Sequence, residues 1–318
     1  MDNKDLKPNI LFISSCTKTK KLPPNNNKAS SLSKKQPKDL AKEWMRKLDK
    51  DKNTLPAEQL YGGGFFWAKR IGDSLGQEWS IVSAGCGLIK NTEPIPYYQL
   101  TISKTSKDSV LYNRESLNLQ KWWGAINQVR NNEEFPITKL SEKSKPDLIL
   151  INVTAEYLNM IEEDLFQLLT KKSLSRKLRL IGMNKKKVNP LLSNYVLPYE
   201  TSFDGYSGKN KIGGPKQNLH KRMAYHFISY VLKNKREKVL LDLDTHKTYV
   251  HESQKGLKPP VYPKRNRISE KELDHIINQY LDEGTFSSPT PLLKHLRNKG
   301  IAVEQKRLSK AFWEQKGR

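Results

Sequence analysis

Four stretches of the chain carry residue types that could do chemistry. In the first, the apolar run Ile10-Leu-Phe-Ile13 gives way to Ser14, Ser15, Cys16, Thr17, Lys18 and Lys20. Hydroxyls, a thiol and ammonium groups beside free backbone N–H groups suit a phosphate or another polar anion; an ordinary strand end with solvated lysines reads the same way. In the second, Gly85-Cys86-Gly87 is followed by Glu93 and then Pro94-Ile-Pro-Tyr97-Tyr98. The aromatics could stack on an unstacked base, and Glu93 could orient a water or read an amino group. Packing of both tyrosines on the core beneath a surface loop is the plainer alternative. The third is Asn152, which ends the run Leu148-Ile-Leu-Ile. Its amide offers a donor and an acceptor, as the edge of a nucleobase requires, or it caps the next helix. The fourth stretch runs from Asp204 through Gly213-Gly-Pro-Lys216-Gln217-Asn to a helix start. A glycine-rich loop at a helix N-terminus is a phosphate site by type, although the spacing is not that of a P-loop. Tyr61 and Gly62, opening a run of three glycines, allow close backbone approach to a ligand.

The elements that must position these groups follow from apolar runs and turn residues. Buried strands are expected at 10–13, 79–84, 146–154 and 178–184. Helices are expected at 39–48, up to about 75, within 103–134, and at 155–170 and 219–232. Helical crossovers imply parallel strands, compatible with order 2-1-3-4. The ends of the first and third strands then meet at a switch point, where open parallel sheets bind ligands. The fold class is therefore α/β: a three-layer domain with a four-stranded parallel sheet. Residues 22–38, rich in Pro, Asn, Lys and Ser, read as a mobile basic loop.

The tail changes character. Residues 252–267 form a basic, proline-rich linker, and 268–318 a small all-α unit resembling a helix-turn-helix. Ser269 and Glu272 stand in capping-box spacing. A glycine turn precedes a basic last helix, on which Gln305, Lys306, Lys310 and Gln315 would face a groove. A helical bundle for protein contacts is the alternative. The domain division is 1–251, 252–267 and 268–318.

Overall composition narrows the partners. With 57 Lys and Arg against 33 Asp and Glu, the 318-residue chain carries a net charge of +24. That balance favours a polyanion, most simply DNA. Cys16 and Cys86 are the two cysteines, and His220 and His226 are not at ligand spacing, so neither a disulfide framework nor a metal or other cofactor is expected. No apolar run is long enough to span a membrane and the first residues lack a signal core, which points to the cytoplasm.

An apolar strand ending in Asn within such a sheet resembles the uracil-DNA glycosylase superfamily. Ser15-Cys-Thr-Lys stands where that superfamily carries a carboxylate or amide, and Met183-Asn-Lys where it carries His-Pro-Ser. Ser15-Cys16-Thr17-Lys18, Leu60-Tyr61-Gly62 and Ser83-Ala-Gly85-Cys86-Gly87-Leu, with Glu93-Pro94 downstream, are similar to an uncharacterised bacterial family and to prokaryotic anti-phage DNA glycosylases. The latter excise glucosylated hydroxymethylcytosine. The resemblance covers residues 9–235 and implies metal-independent hydrolysis of an N-glycosidic bond in phage DNA, leaving an abasic site in antiviral defence. Asn152 is then the base reader, and Glu93 or Asp204 the carboxylate. Ser14, Ser15, Cys16, Thr17, Lys18, Lys20, Tyr61, Gly62, Gly85, Cys86, Gly87, Tyr97, Lys216 and Gln217 contact the substrate, joined by Lys306 and Lys310 in the tail. Lys18 as a Schiff-base nucleophile would add strand cleavage. A non-catalytic DNA-binding regulator that senses a nucleotide is the alternative class.

Overall fold

A computed structural model describes residues 8–33, 36–115, 117–206, 212–232, 242–261 and 263–317. The starting segment 1–5, read above for a signal, lies outside them, as do 34–35 of the expected basic loop and 207–211 of the glycine-rich stretch. The chain divides into Met1–Pro259 and Pro260–Arg318.

The first unit is built on a five-stranded, mostly parallel sheet. In chain order the strands of this unit are β1 (Ile10–Ser15), β2 (Thr54–Pro56), β3 (Ser80–Ser83), β4 (Gly87–Lys90), β5 (Pro94–Pro96), β6 (Leu148–Asn152) and β7 (Leu178–Leu180). The main sheet runs β4-β3-β1-β6-β7, and β2 pairs with β5 in a separate antiparallel ribbon. Every residue of β1, β3, β6 and β7 is buried, as strands covered on both faces must be. The expected four strands become five. Gly87, at φ +68°, turns the chain directly after β3, and β4 returns antiparallel along it. The fourth strand stops at Leu180. Asn184, expected at its end, instead caps a turn at Lys185–Lys187.

Two helices fix the turn between β3 and β4. Trp44, on Pro37–Asp49, donates its indole N–H to the Gly85 carbonyl at 2.6 Å. Trp122, on Leu119–Asn131, donates to that of Ala84 at 2.8 Å. The loop expected to be mobile is pinned by side chains. Asn25 and Asn27 bond Asp51 and the Tyr97 carbonyl, and the Arg114 guanidinium reaches the carbonyls of Ala29 and Leu32. Helices Pro136–Ser144 and Leu243–Ser253 add to the expected set. The helix expected at 155–170 is broken into Ala155–Met160 and Glu162–Leu169.

The second unit has its own core, with Leu273, Ile277, Leu292, Leu296, Leu308 and Phe312 at its centre. Helices Glu270–Asp282, Pro289–Asn298 and Gln305–Lys316 surround it, and the first opens on the Ser269–Glu272 capping box. It is not all-α: β8 (Asn266–Arg267) pairs in parallel with β9 (Ile301–Ala302) after the turn at Gly300, φ +76°. Among the described residues no helix is long and apolar enough to cross a membrane.

Candidate active site at the carboxyl edge of the sheet

β1, β3 and β6 run parallel, so Ser15, Ser83 and Asn152 end on one edge, with Ser14 in register with Asn152 and Ser15 with Val82. Above the end of β3 three hydroxyls close a triangle. Tyr61 Oη lies 2.7 Å from Tyr98 Oη and 3.1 Å from Ser83 Oγ, and Ser83 Oγ lies 2.8 Å from Tyr98 Oη. The Cys86 backbone N–H donates to Ser83 Oγ, which helps settle that hydroxyl's orientation. Cys16 Sγ sits 3.0 Å from Tyr157 Oη. Burial holds the phenols of Tyr61, Tyr98 and Tyr157 well above their ordinary value, so all three are neutral donors at physiological pH.

Lys20 lies against this triangle, its ammonium 4.0 Å from the centre of the Tyr98 ring and 5.9 Å from that of Tyr97. Burial lowers its pKa. A second lysine, Lys221, comes from the helix Leu219–His226 and is only 3% exposed. Its ammonium lies 5.6 Å from the centre of the Phe65 ring and within electrostatic reach of Cys16. Burial takes its pKa down to about 8.

Asn152 does not cap the next helix, whose N-cap is Thr154. It donates both amide hydrogens to backbone carbonyls, that of Ile181 at 2.9 Å and that of His220 at 3.0 Å. Two carbonyl partners fix which end of the amide is nitrogen. Oδ1 is left buried without a partner, as are Ser14 Oγ on the adjacent strand and His220 Nε2. The close approach of the helix that carries His220 depends on Gly182, at φ +80°, where a Cβ would stand 2.6 Å from that of His220. Burial lowers the His220 pKa to about 4, so the ring is neutral. Native interiors satisfy nearly all buried polar atoms, so three unpartnered ones on or beside one strand edge mark a place built for a guest.

The remaining expected residues are distributed as follows. Thr17 donates to the Gly62 carbonyl at 3.0 Å, which ties the two loops together, while Lys18 is exposed. Gly85, Cys86 and Gly87 are buried, and burial pushes the Cys86 thiol up to about 11, far from reactive. Lys216 and Gln217 lie exposed on a turn leading into the Lys221 helix. Neither expected carboxylate belongs to the hydrogen-bonded cluster. Glu93 pairs with Arg130 and accepts from the Lys90 backbone. Asp204 pairs with Arg222, and both of those side chains are buried. Lys306 and Lys310 line a recess of the second unit with Glu304, Gln305, Ser309 and the exposed Trp313.

Sequence reasoning missed Lys221 and the triangle's Ser83. Tyr61 and Tyr98 sat near recognised motifs, but nothing local announces a buried lysine two residues into an amphipathic helix. Among the described residues no group of three or more His, Cys, Asp or Glu could hold a metal ion. No family model, curated protein or solved structure matches the chain.

Proposed function

We propose that the protein is a DNA glycosylase that excises a modified base, acting without a metal at the carboxyl edge of the sheet. The observation that carries this reading is the buried, unpartnered Oδ1 of Asn152. An acceptor with its own donors already committed selects a base edge that presents an N–H, such as the exocyclic amino group of a cytosine-type base. The flipped nucleotide would leave the stack and enter among neutral donors and two cations. Cleavage of the glycosidic bond puts negative charge on the departing base, which Lys20, Lys221 and the tyrosine hydroxyls are suited to stabilise. The net charge of +24 supplies the attraction for the DNA backbone. The last helix of the second unit would add groove contacts through Lys306 and Lys310, in the manner of a helix-turn-helix. The resemblance of residues 9–235 to anti-phage glycosylases makes glucosylated hydroxymethylcytosine in phage DNA the first substrate to offer, with cytoplasmic defence as the setting.

A second reading is a DNA-binding regulator that senses a nucleotide. It is favoured by the engagement of both Glu93 and Asp204 in ion pairs away from the hydrogen-bonded cluster. Separate substitutions decide between the two. In an enzyme, Asn152→Ala lowers single-turnover excision by about two orders of magnitude, on the scale of losing one transition-state contact, while DNA affinity changes little. In a binder the same change weakens affinity, and there is no turnover to lose. Glu93→Gln and Asp204→Asn, assayed alongside, report whether either carboxylate serves the reaction.

A further inference from the structure

The cluster at the sheet edge has cations, phenols and an amide but no carboxylate of the expected pair, and this leaves open what attacks the sugar. Lys221 is the one group there whose burial lacks a compensating charge. It is 3% exposed, and the ion pairs of the described residues do not include it. An isolated buried ammonium is costly, so the fold bears a penalty that a hydrophobic residue of the same size would avoid. Its neighbours are the groups with unfilled hydrogen-bonding capacity. His220 adjoins it in sequence, Asn152 bonds the His220 carbonyl, and Ser14 is in register with Asn152. The other nucleophiles are worse placed. Lys18 is exposed, Lys20 sits against tyrosine rings, and Cys86 is a buried thiol.

We propose that the Lys221 amine is the nucleophile that displaces the base, so that excision proceeds through a Schiff base and also nicks the strand. This rests on the excision reading above. The Nζ lone pair forms a bond to the sugar C1′ as the bond from C1′ to the base breaks. The base leaves with that electron pair and takes up a proton, and the amine gives up one. Opening of the C1′–O4′ bond yields the protonated imine. Loss of a C2′ proton then expels the 3′ phosphate, and water releases the lysine. The amine must be unprotonated to attack, and a lysine brought down to about 8 by burial meets that condition near neutral pH.

The test uses full-length protein on duplex DNA carrying a preformed abasic site, with sodium borohydride present, followed by proteolysis and mass spectrometry. The expected result is a covalent adduct on the Lys221 peptide, forming faster as pH rises through about 8. Lys221→Met is expected to cut adduct formation and base release at least about a hundredfold while melting at the same or a higher temperature, because a buried charge is gone. No adduct, an adduct on another lysine, or base release that survives in Lys221→Met overturns the inference. Base release by the wild type without any trappable adduct does so while leaving the excision reading intact. An adduct at Lys221 together with no base release from modified DNA sustains the amine and removes the excision reading.

Discussion

Asn152 illustrates how a single side chain can be both structural and functional. Its two donated hydrogen bonds join β6 to the carbonyls of Ile181 and His220, and its oxygen is left for a guest. Replacing it by Ala strands both carbonyls, and thermal or denaturant unfolding should report a loss of about 1–3 kcal/mol. Lys221 predicts the opposite sign. Its pKa in the fold is lowered to about 8 from 10.5, so below about pH 8 the folded state pays for a buried charge that the unfolded chain solvates. As pH rises from about 8 toward 10.5, that penalty fades. The stability advantage of Lys221→Met over the wild type should therefore be largest at neutral pH and shrink across that window, as melting curves at stepped pH would record. The position of Asn152 was legible because an apolar run that ends in a polar residue marks the edge of a buried strand. The half-commitment of its amide was not, since the partners lie 29 and 68 residues away. Lys221 was illegible for a related reason. The stripe Leu219, Met223 and Phe227 implies one buried helix face, whereas Lys221, Arg222 and His226 are buried as well.

At the scale of elements, the helix Leu219–His226 is the piece that brings the site together. It carries Lys221 and His220 toward the sheet edge, and Arg222, beside Lys221, anchors it through a buried ion pair with Asp204 and a bond to the Ile212 carbonyl. Removing one partner of a buried pair leaves the other charge bare, so Asp204→Asn should cost about 3–5 kcal/mol of stability, read from chemical denaturation. His226, in the same helix, bonds the Tyr199 hydroxyl at 2.7 Å, and burial lowers its pKa to about 4. Its contribution is present above the ordinary histidine value of 6.5 and is lost as pH falls toward 4, because the unfolded chain takes up the proton first. His226→Phe should flatten the acid limb of the stability profile. Long apolar strands and the Ser269–Glu272 cap could be recognised from sequence because each has a local cause. β4 could not, since Gly87-Leu-Ile-Lys is a strand only by virtue of pairing with β3. The polar helix Leu243–Ser253 likewise owes its place to tertiary contacts such as the burial of His246 and Val250.

Over the whole molecule, charge and domain division set how DNA would be met. The chain carries +24, and the second unit has its own core and a last helix with Lys306, Lys310 and the exposed Trp313 on a recess. Phosphate contacts by those lysines would weaken binding evenly across sequences. Lys306→Ala and Lys310→Ala should each reduce the slope of log affinity against log salt by about 1. Above all, the account claims that the sheet edge removes a base. The most direct measurement is mass spectrometry of free base released from duplex DNA carrying glucosylated hydroxymethylcytosine, with unmodified duplex in parallel and EDTA in both. Release from the modified duplex alone, with alkali-sensitive or nicked sites at the same positions, is the predicted result. Tight binding to both duplexes with no base released from either would contradict it and leave the regulator in its place.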